Sequence, residues 1–210
     1  MEEDLKKTFV KTGTTILGIV CKDGVVMAGD NRTTLGGGII FNKDTEKVYL
    51  LNEYLVFAGC GAAAEAQKAG KILTAELKLK SLRSKKRPTV RQAASLLSNI
   101  QVQQSAFILA GFDEDGQASI YEITGQLLTK VNDYTASVGS GMPYVLGYLE
   151  RQYKPNVTVK EGIELAKESL KSSTQRDPAS GDGMDIYTIT KDGIKKVVSQ
   201  KIEADFVNKE

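Results

Sequence analysis

The chain has 210 residues, of which 41% are hydrophobic and 26% are charged, the balance of one globular domain with a well-filled core. This composition excludes a disordered tail, a collagen-like fibre and a coiled coil. The net charge is only +2, so charge gives no reason to expect nucleic acid or a membrane as a partner. Histidine is absent, which excludes Ser-His and Cys-His catalysis and histidine-bound metals.

Cys21 and Cys60 are too few for a disulfide scaffold or for a zinc site without histidine. A reducing compartment is the expected setting, and we predict neither a metal nor a cofactor. The first thirteen residues mix acidic residues with lysines and have no apolar segment of the secretory type. No apolar run approaches the roughly 20 residues that span a bilayer. We therefore expect a cytoplasmic protein.

In the first half of the chain, apolar segments bounded by turn residues predict strands, and two alanine- and leucine-rich segments predict helices. The strands are expected at 14–21, 25–30, 39–41, 47–51 and 54–58. One helix is expected from 62 to about 83, and a second follows Pro88 over 90–104. The turn at 22–24 (KDG) makes the first two strands a hairpin.

The second half repeats this order of strands, paired helices and strands. Strands are expected at 106–112, 118–123, 127–131, 134–139, 185–190 and 194–199, and helices at 143–153 and 158–174. A parallel sheet would need strands and helices to alternate, whereas hairpins separated by helix pairs favour antiparallel sheets. We predict a single α+β domain, a four-layer αββα sandwich with two sheets face to face and helix pairs outside.

Three motifs resemble binding sites but favour plainer explanations. The segment 59–64 (GCGAAA) follows a strand and opens a helix, as dinucleotide loops do, but the crossover and parallel strand of that fold do not follow. Its glycine-rich helix N-terminus would still suit an oxyanion. The basic segment 78–87 lacks interleaved aromatic residues and is typical of a solvated helix end. The segment 113–116 (DEDG) is typical of a hairpin turn rather than a calcium loop.

Thr14 offers the chemistry that the missing histidine cannot. A Thr-Thr pair before an apolar strand is ordinarily a matter of β-propensity, but this pair follows a short polar leader. Cleavage after Gly13 would give Thr14 a free α-amine beside its own hydroxyl. Such an amine has an ordinary pKa near 8 and can act as a base at neutral pH. A threonine paired with its own amine is a known nucleophile.

Six motifs, in this order, resemble the archaeal type of proteasome β subunit, within the N-terminal-nucleophile hydrolases. They are GTT at 13–15, VMAGDNR at 26–32, EKV at 46–48, AGCGAA at 58–63, GSGMP at 139–143 and QRDPASG at 175–181. The resemblance covers the chain from Gly13 onward and implies the αββα fold. It also implies a propeptide at 1–13, removed by self-cleavage, and a single catalytic domain at 14–210.

The resemblance implies a catalytic role for seven residues. Thr14 would be the nucleophile, and Lys47 would lower the pKa of its hydroxyl and amine by its nearby positive charge. Asp30 would pair with Lys47. The amide of Gly61 would donate to the oxyanion, a type of contact that stabilises a transition state by ~3 kcal/mol. The residues expected to orient the threonine are Asp177, Ser180 and Ser140.

The substrate-binding positions that the resemblance implies are Thr33, Thr45, Gly59 and Ala63 for the specificity pocket, with Thr34 on the strand after Asp30. No fixed charge lines the four pocket positions, so we expect a broad preference for sizeable side chains. The backbone of Thr34 would pair with an extended substrate in the manner of an added strand.

The resemblance implies a threonine endopeptidase that works in stacked seven-membered rings in the order α-β-β-α, twenty-eight subunits in all. Its partners would be other β subunits, an α ring, an ATP-dependent unfoldase acting through that ring, and unfolded protein substrates. Two alternatives stay open. One is an unprocessed, non-catalytic β subunit that fills ring positions, and the other is an amidohydrolase of the same fold that acts on a small molecule.

Overall fold

The structure is a computed structural model and describes residues 13–35, 38–102 and 105–203. Within these ranges the strands are β1 (Ile16–Cys21), β2 (Gly24–Asp30), β3 (Thr33–Leu35), β4 (Ile39–Asn42), β5 (Val48–Asn52), β6 (Leu55–Gly61), β7 (Ser105–Phe112), β8 (Ala118–Thr124), β9 (Leu127–Val131), β10 (Tyr134–Ala136), β11 (Gly183–Thr190) and β12 (Gly193–Lys201). The helices are α1 (Ala63–Ser84), α2 (Val90–Ser98), α3 (Met142–Gln152) and α4 (Val159–Thr174).

Two five-stranded antiparallel sheets form the centre of the molecule. The first has the order β10-β1-β2-β11-β12, and the second has the order β5-β6-β7-β8-β9. Strands β3 and β4 form a separate two-stranded hairpin. The β1–β2 hairpin predicted from the KDG turn is present, with Ile16 opposite Gly29 and Cys21 opposite Gly24. The α+β class and the antiparallel sheets are confirmed.

Three apolar clusters separate four layers. One lies between the second sheet and the helices α1 and α2, and includes Phe57 and Leu73. A second lies between the two sheets and includes Ile16 and Ile108. The third lies between the first sheet and the helices α3 and α4. Buried residues on both faces of each sheet explain why β1, β2 and β7 are nearly continuous apolar runs.

Helix starts follow the capping rules, and one helix end differs from prediction. Thr89 forms a capping box with Gln92 at the start of α2, and Thr158 does so with Glu161 at the start of α4. Helix α2 ends at Ser98, not at 104, and residues 103–104 lie outside the described chain. In the part that is described, no helix has the length and apolarity needed to cross a membrane.

Candidate active site

Thr14 lies two residues before β1, and its side chain is almost completely buried in the full-length chain. Its hydroxyl donates a hydrogen bond to the carbonyl oxygen of the preceding Gly13. The same carbonyl oxygen accepts a 3.3 Å hydrogen bond from Lys47 Nζ. The structure thus brings together the predicted nucleophile, the carbonyl group of the predicted cleavage site and the predicted lysine.

Asp30 is the last residue of β2, and the antiparallel pairing with β1 sets it beside the threonine pair. Asp30 Oδ1 accepts hydrogen bonds from the backbone N–H of Thr15 at 2.8 Å and from Lys47 Nζ at 2.6 Å. Its Oδ2 accepts from the backbone N–H groups of Gly181 at 2.9 Å and Arg32 at 3.0 Å. Four donors therefore compensate a carboxylate that is fully buried.

Lys47 is buried on the segment that leads into β5. Burial lowers the pKa of Lys47 because it disfavours the charged ammonium, and the carboxylates of Asp30 and Asp177 oppose this shift. The arrangement holds a cation against the Gly13 carbonyl with a pKa below the ordinary lysine value.

Asp177 is the common hydrogen-bond acceptor for two serine hydroxyl groups near Thr14 and Thr15. Its Oδ2 accepts hydrogen bonds from Ser140 Oγ and Ser180 Oγ, both at 2.6 Å. Ser140 Oγ in turn accepts from the backbone nitrogen of Thr14 at 3.2 Å. Ser180 Oγ lies 2.7 Å from Thr15 Oγ1. One carboxylate therefore organises two serines, one of which reaches the nitrogen that cleavage would turn into an amine.

Glycine allows the 139–141 segment to approach the threonine backbone. A Cβ atom at Gly139 would fall 2.2 Å from the carbonyl oxygen of Thr14. A Cβ at Gly141 would fall 1.7 Å from Thr15 Oγ1. No other residue fits either position without displacement, so these glycines bring Ser140 within reach of the Thr14 nitrogen.

The glycines of β6 lie at the end of that strand, next to α1. Gly59 is buried, and a Cβ there would fall 2.9 Å from the Cβ of Ala66. Gly61 is half-buried with φ of 108°, a conformation that favours glycine. Between them, Cys60 Sγ lies 3.5 Å from Ser137 Oγ, which connects this strand end to the segment before Gly139. The oxyanion role of Gly61 stays a prediction.

The predicted substrate residues lie on β3, on β6, on α1 and, for Thr45, on the segment between β4 and β5. The hydroxyl of Thr33 on β3 donates to that of Thr45 at 2.8 Å, so these two positions are joined. Thr34 Oγ1 is buried and has no hydrogen-bond partner among the described residues. Ala63 is exposed at the start of α1. A common pocket for these residues and Gly59 stays a prediction.

No role was predicted for Arg32, although it lies two residues after Asp30. Its Nε donates to Asp182 Oδ2 at 2.7 Å and its Nη1 donates to the Pro178 carbonyl at 2.8 Å. Gly181 packs against the same guanidinium, where a Cβ would fall 2.7 Å from Nη2. Arg32 thus holds the loop that carries the acid and one serine of the site. A local sequence motif could not reveal this contact, because Asp182 is 150 residues away along the chain.

The assembled groups can support nucleophilic attack without imidazole. A hydroxyl, a cation and a hydrogen-bonded nitrogen surround one peptide carbonyl, which is the set of groups that acyl transfer requires. Within the described ranges, no cluster of three or more cysteine, aspartate or glutamate side chains is arranged to hold a metal ion.

The chain is similar to known proteins over most of its length. The model of the proteasome subunit family matches residues 10–189. The chain is 40% identical to the proteasome subunit beta of Nanoarchaeum equitans, an alignment that covers 88% of this chain and 96% of the relative. It is 37% identical to the proteasome subunit beta of Archaeoglobus profundus, over 92% of each chain. It is 34% identical to proteasome subunit beta 2 of Pyrococcus abyssi, over 91% of this chain and 94% of the relative. This chain belongs to the proteasome subunit family.

Proposed function

We propose that the chain is a threonine-type endopeptidase, made as a precursor and cleaved by itself between Gly13 and Thr14. The observation that carries the proposal is the contact of two groups with one carbonyl oxygen. The hydroxyl of Thr14 and the ammonium of Lys47 both reach the Gly13 carbonyl, so the full-length chain already holds the reacting groups together. Residues 1–13 would be the propeptide, and 14–210 the mature subunit.

Self-cleavage would proceed by an acyl shift. Thr14 Oγ1 attacks the carbonyl carbon of Gly13, and Lys47 stabilises the negative charge that develops on the carbonyl oxygen. The Gly13–Thr14 peptide bond breaks, the hydroxyl proton passes to the departing nitrogen, and an ester joins Gly13 to Thr14 Oγ1. Water then hydrolyses the ester, which releases residues 1–13 and leaves Thr14 with a free amine.

The mature site would use that amine as its base. The amine takes the hydroxyl proton, directly or through water, while Oγ1 attacks the substrate carbonyl. The amine then gives the proton to the leaving nitrogen, and water hydrolyses the acyl-enzyme. Ser140 already contacts the Thr14 nitrogen. Asp177, which accepts hydrogen bonds from both Ser140 and Ser180, would keep the two serines in place around the threonine. The amide of Gly61 would donate to the oxyanion.

Substrate would bind as an extended strand beside Thr33 and Thr34. The side chain that precedes the scissile bond would enter a pocket formed with Thr45, Gly59 and Ala63. Because these positions carry no fixed charge, the pocket would accept sizeable side chains broadly. Such a site needs confinement, since it has little selectivity of its own.

Membership of the proteasome subunit family implies assembly into rings with α subunits. We infer a cytoplasmic particle with stacked rings in the order α-β-β-α and the active sites inside. An ATP-dependent unfoldase acting through the α ring would deliver unfolded proteins. In the competing account, the subunit fills ring positions and remains unprocessed.

Hydrolysis by the assembled particle tests the proposal. Particles with the α subunit and either wild-type chain or Thr14→Ala are assayed with fluorogenic peptides and an unfolded protein. We expect Thr14→Ala to abolish hydrolysis and Thr14→Ser to retain part of it. Thr188→Ala, which alters another buried threonine on β11, is the matched control and should leave the rate unchanged. Hydrolysis by Thr14→Ala would overturn the assignment.

A further inference from the structure

Asn31 is a buried residue that joins two parts of the candidate site. It directly follows Asp30, and its backbone N–H donates to the Gly181 carbonyl at 3.2 Å. Its own carbonyl accepts from the backbone N–H of Thr45 at 2.9 Å. The end of β2 is therefore tied both to the loop that carries Asp177 and to the segment 43–47, which leads into β5.

The side chain of Asn31 adds a second tie to the same segment. Its Nδ2 donates to Asp185 Oδ2 on β11 at 2.9 Å and lies 3.4 Å from the Thr45 carbonyl oxygen. Asp185 is itself 4% exposed. A Cβ at Gly183 would fall 2.6 Å from Asn31 Oδ1, so β11 packs closely against this amide. A buried amide that donates to a buried carboxylate fixes the position of both groups.

An ion-pair network continues from Asp185 back to segment 43–47. Lys196 on β12 lies 3.2 Å from Asp185 Oδ1 and 2.6 Å from Glu46 Oε1. The hydroxyl of Tyr187 donates to Glu46 Oε1 at 2.7 Å. Burial lowers the pKa of Lys196, but its hydrogen bonds to Glu46 and Asp185 outweigh burial and raise that pKa above the ordinary value. Lys196 therefore stays a cation that bridges two carboxylates.

Three consecutive residues of this segment each have a different partner, through a hydrogen bond or an ion pair. Asn31 holds Thr45, Lys196 holds Glu46, and Asp30 holds Lys47. Lys47 keeps its ion pair with Asp30 when the contacts made by Asn31 and Lys196 are lost. Loss of those contacts should therefore move Thr45 more than Lys47. The hydroxyl of Thr45 is the one joined to Thr33, so its displacement would change the shape of the binding site.

We propose that Asn31 and Lys196 are positioning residues that set substrate selectivity by fixing Thr45. This inference rests on the proposed function, because it assigns Thr45 to the pocket of a peptidase. The residues do not touch the reacting atoms. Their effect is carried by the segment 43–47, which Asn31 reaches from the position directly after β2 and Lys196 reaches from β12.

The ratio of two specificity constants tests this role. Assembled particles are assayed with two fluorogenic peptides that differ only in leucine or alanine before the scissile bond. The ratio of their kcat/KM values does not depend on how much active enzyme is present. We expect Asn31→Ala to change the ratio about fivefold or more, and Lys196→Met to change it in the same direction by about threefold, as loss of one buried or half-buried polar contact would.

Two matched variants separate positioning from general damage. Lys195→Met removes the neighbouring lysine of β12, which has no ion pair among the described residues, and Ser169→Ala alters an equally buried polar residue on α4. Both should leave the ratio within about twofold. Lys196 is about one-third exposed, so its substitution keeps the test available if Asn31→Ala does not assemble. An unchanged ratio in active Asn31→Ala and Lys196→Met particles would overturn the proposal.

Hydrogen exchange makes the outcome independent of catalysis. We expect backbone amides of residues 43–50 to exchange about tenfold faster in Asn31→Ala or Lys196→Met, while those of β8 keep the wild-type rate. If wild-type particles hydrolysed neither peptide, the proposed function would fail. Hydrogen exchange would then be the test of whether Asn31 and Lys196 hold the segment 43–47. Unchanged exchange of residues 43–50 in both variants would overturn the positioning role of Asn31 and Lys196.

Discussion

Lys47 Nζ lies 2.6 Å from Asp30 Oδ1 and 3.3 Å from the carbonyl oxygen of Gly13. The cation therefore bridges a fully buried carboxylate and the peptide group that we expect to be cleaved. A buried charge that loses its partner is costly, and a polarised carbonyl that loses its cation is less reactive. Both the stability of the site and its chemistry therefore depend on the Lys47 side chain, through two separate contacts.

Substitution of Lys47 by alanine should block self-cleavage and hydrolysis. The rate of processing should fall by about 10²-fold or more, because the developing oxyanion loses its cation. The free energy of unfolding should fall by about 3–5 kcal/mol, because Asp30 stays buried without its partner. Intact mass and urea unfolding measure the two effects. Lys68→Ala breaks only an exposed 3.6 Å pair with Glu65 and should change neither. A Lys47→Ala chain that still lost residues 1–13 would contradict the assignment.

Replacement of Gly13 by alanine should slow self-cleavage about tenfold or more. A Cβ at this position would fall 2.1 Å from the Cβ of Ala179 and 2.4 Å from its carbonyl oxygen. The loop or the Gly13 carbonyl must therefore move, and movement takes the carbonyl away from Lys47. Mass spectra taken at intervals during assembly would measure the rate. A chain produced to begin at Thr14 lacks residue 13 and should show full activity, which would place the defect in processing. Wild-type processing of Gly13→Ala would count against the geometry.

The kcat/KM of the mature particle should depend on pH with a maximum. On the acid side, activity should rise as the Thr14 amine loses its proton, in the region of an ordinary α-amine pKa of about 8. On the alkaline side, activity should fall as Lys47 loses its proton, below the ordinary lysine value, because burial lowers the pKa of Lys47. Asp30, Asp177 and the Cys60 thiol face the same ammonium and limit the shift. A kcat/KM that shows no fall up to roughly pH 11 would exclude Lys47 as the charged group.

Two glycine-to-alanine substitutions should have opposite effects on stability. Gly141→Ala places a Cβ 1.7 Å from Thr15 Oγ1 and should lower the free energy of unfolding by about 1–3 kcal/mol. Gly147 lies within α3, where an added Cβ would have no atom within 4 Å apart from its chain neighbours and the backbone of its own helix. Gly147→Ala should therefore raise stability by about 0.5–1 kcal/mol through helix propensity. Urea unfolding of the isolated subunit measures both, and equal effects would show that the close approach at Gly141 is absent.

Local sequence patterns predicted the elements whose own residues determine them. The KDG turn and its apolar flanks predicted the β1–β2 hairpin, and alanine, leucine and charged residues at helical spacing predicted α1 to within a residue at each end. The end of α2 was missed because residues 99–104 contain no glycine or proline to stop a helix. The helix must end earlier because β7 pairs with β6 from Ser105 onward, with Ser105 opposite Gly61.

The site was predictable as a set of residues but not as a network. Motifs along the chain named Thr14, Asp30 and Lys47. In the structure Lys47 contacts Asp30, and both Lys47 and Thr14 reach the Gly13 carbonyl oxygen. Asn31 and Arg32, which directly follow β2, contact residues about 150 positions later, and no local pattern carries that information. The tertiary fold alone brings those partners together.

The intact mass of this subunit, taken from the assembled particle, tests the central claim most directly. Our account predicts a mass that lacks residues 1–13, with Thr14 as the free N-terminus. Thr14→Ala, assembled in the same way, should keep its full-length mass. A full-length mass for the wild-type subunit in a completed particle would mean that Thr14 has no free amine. That result would contradict the peptidase assignment and leave the chain as a structural member of its ring.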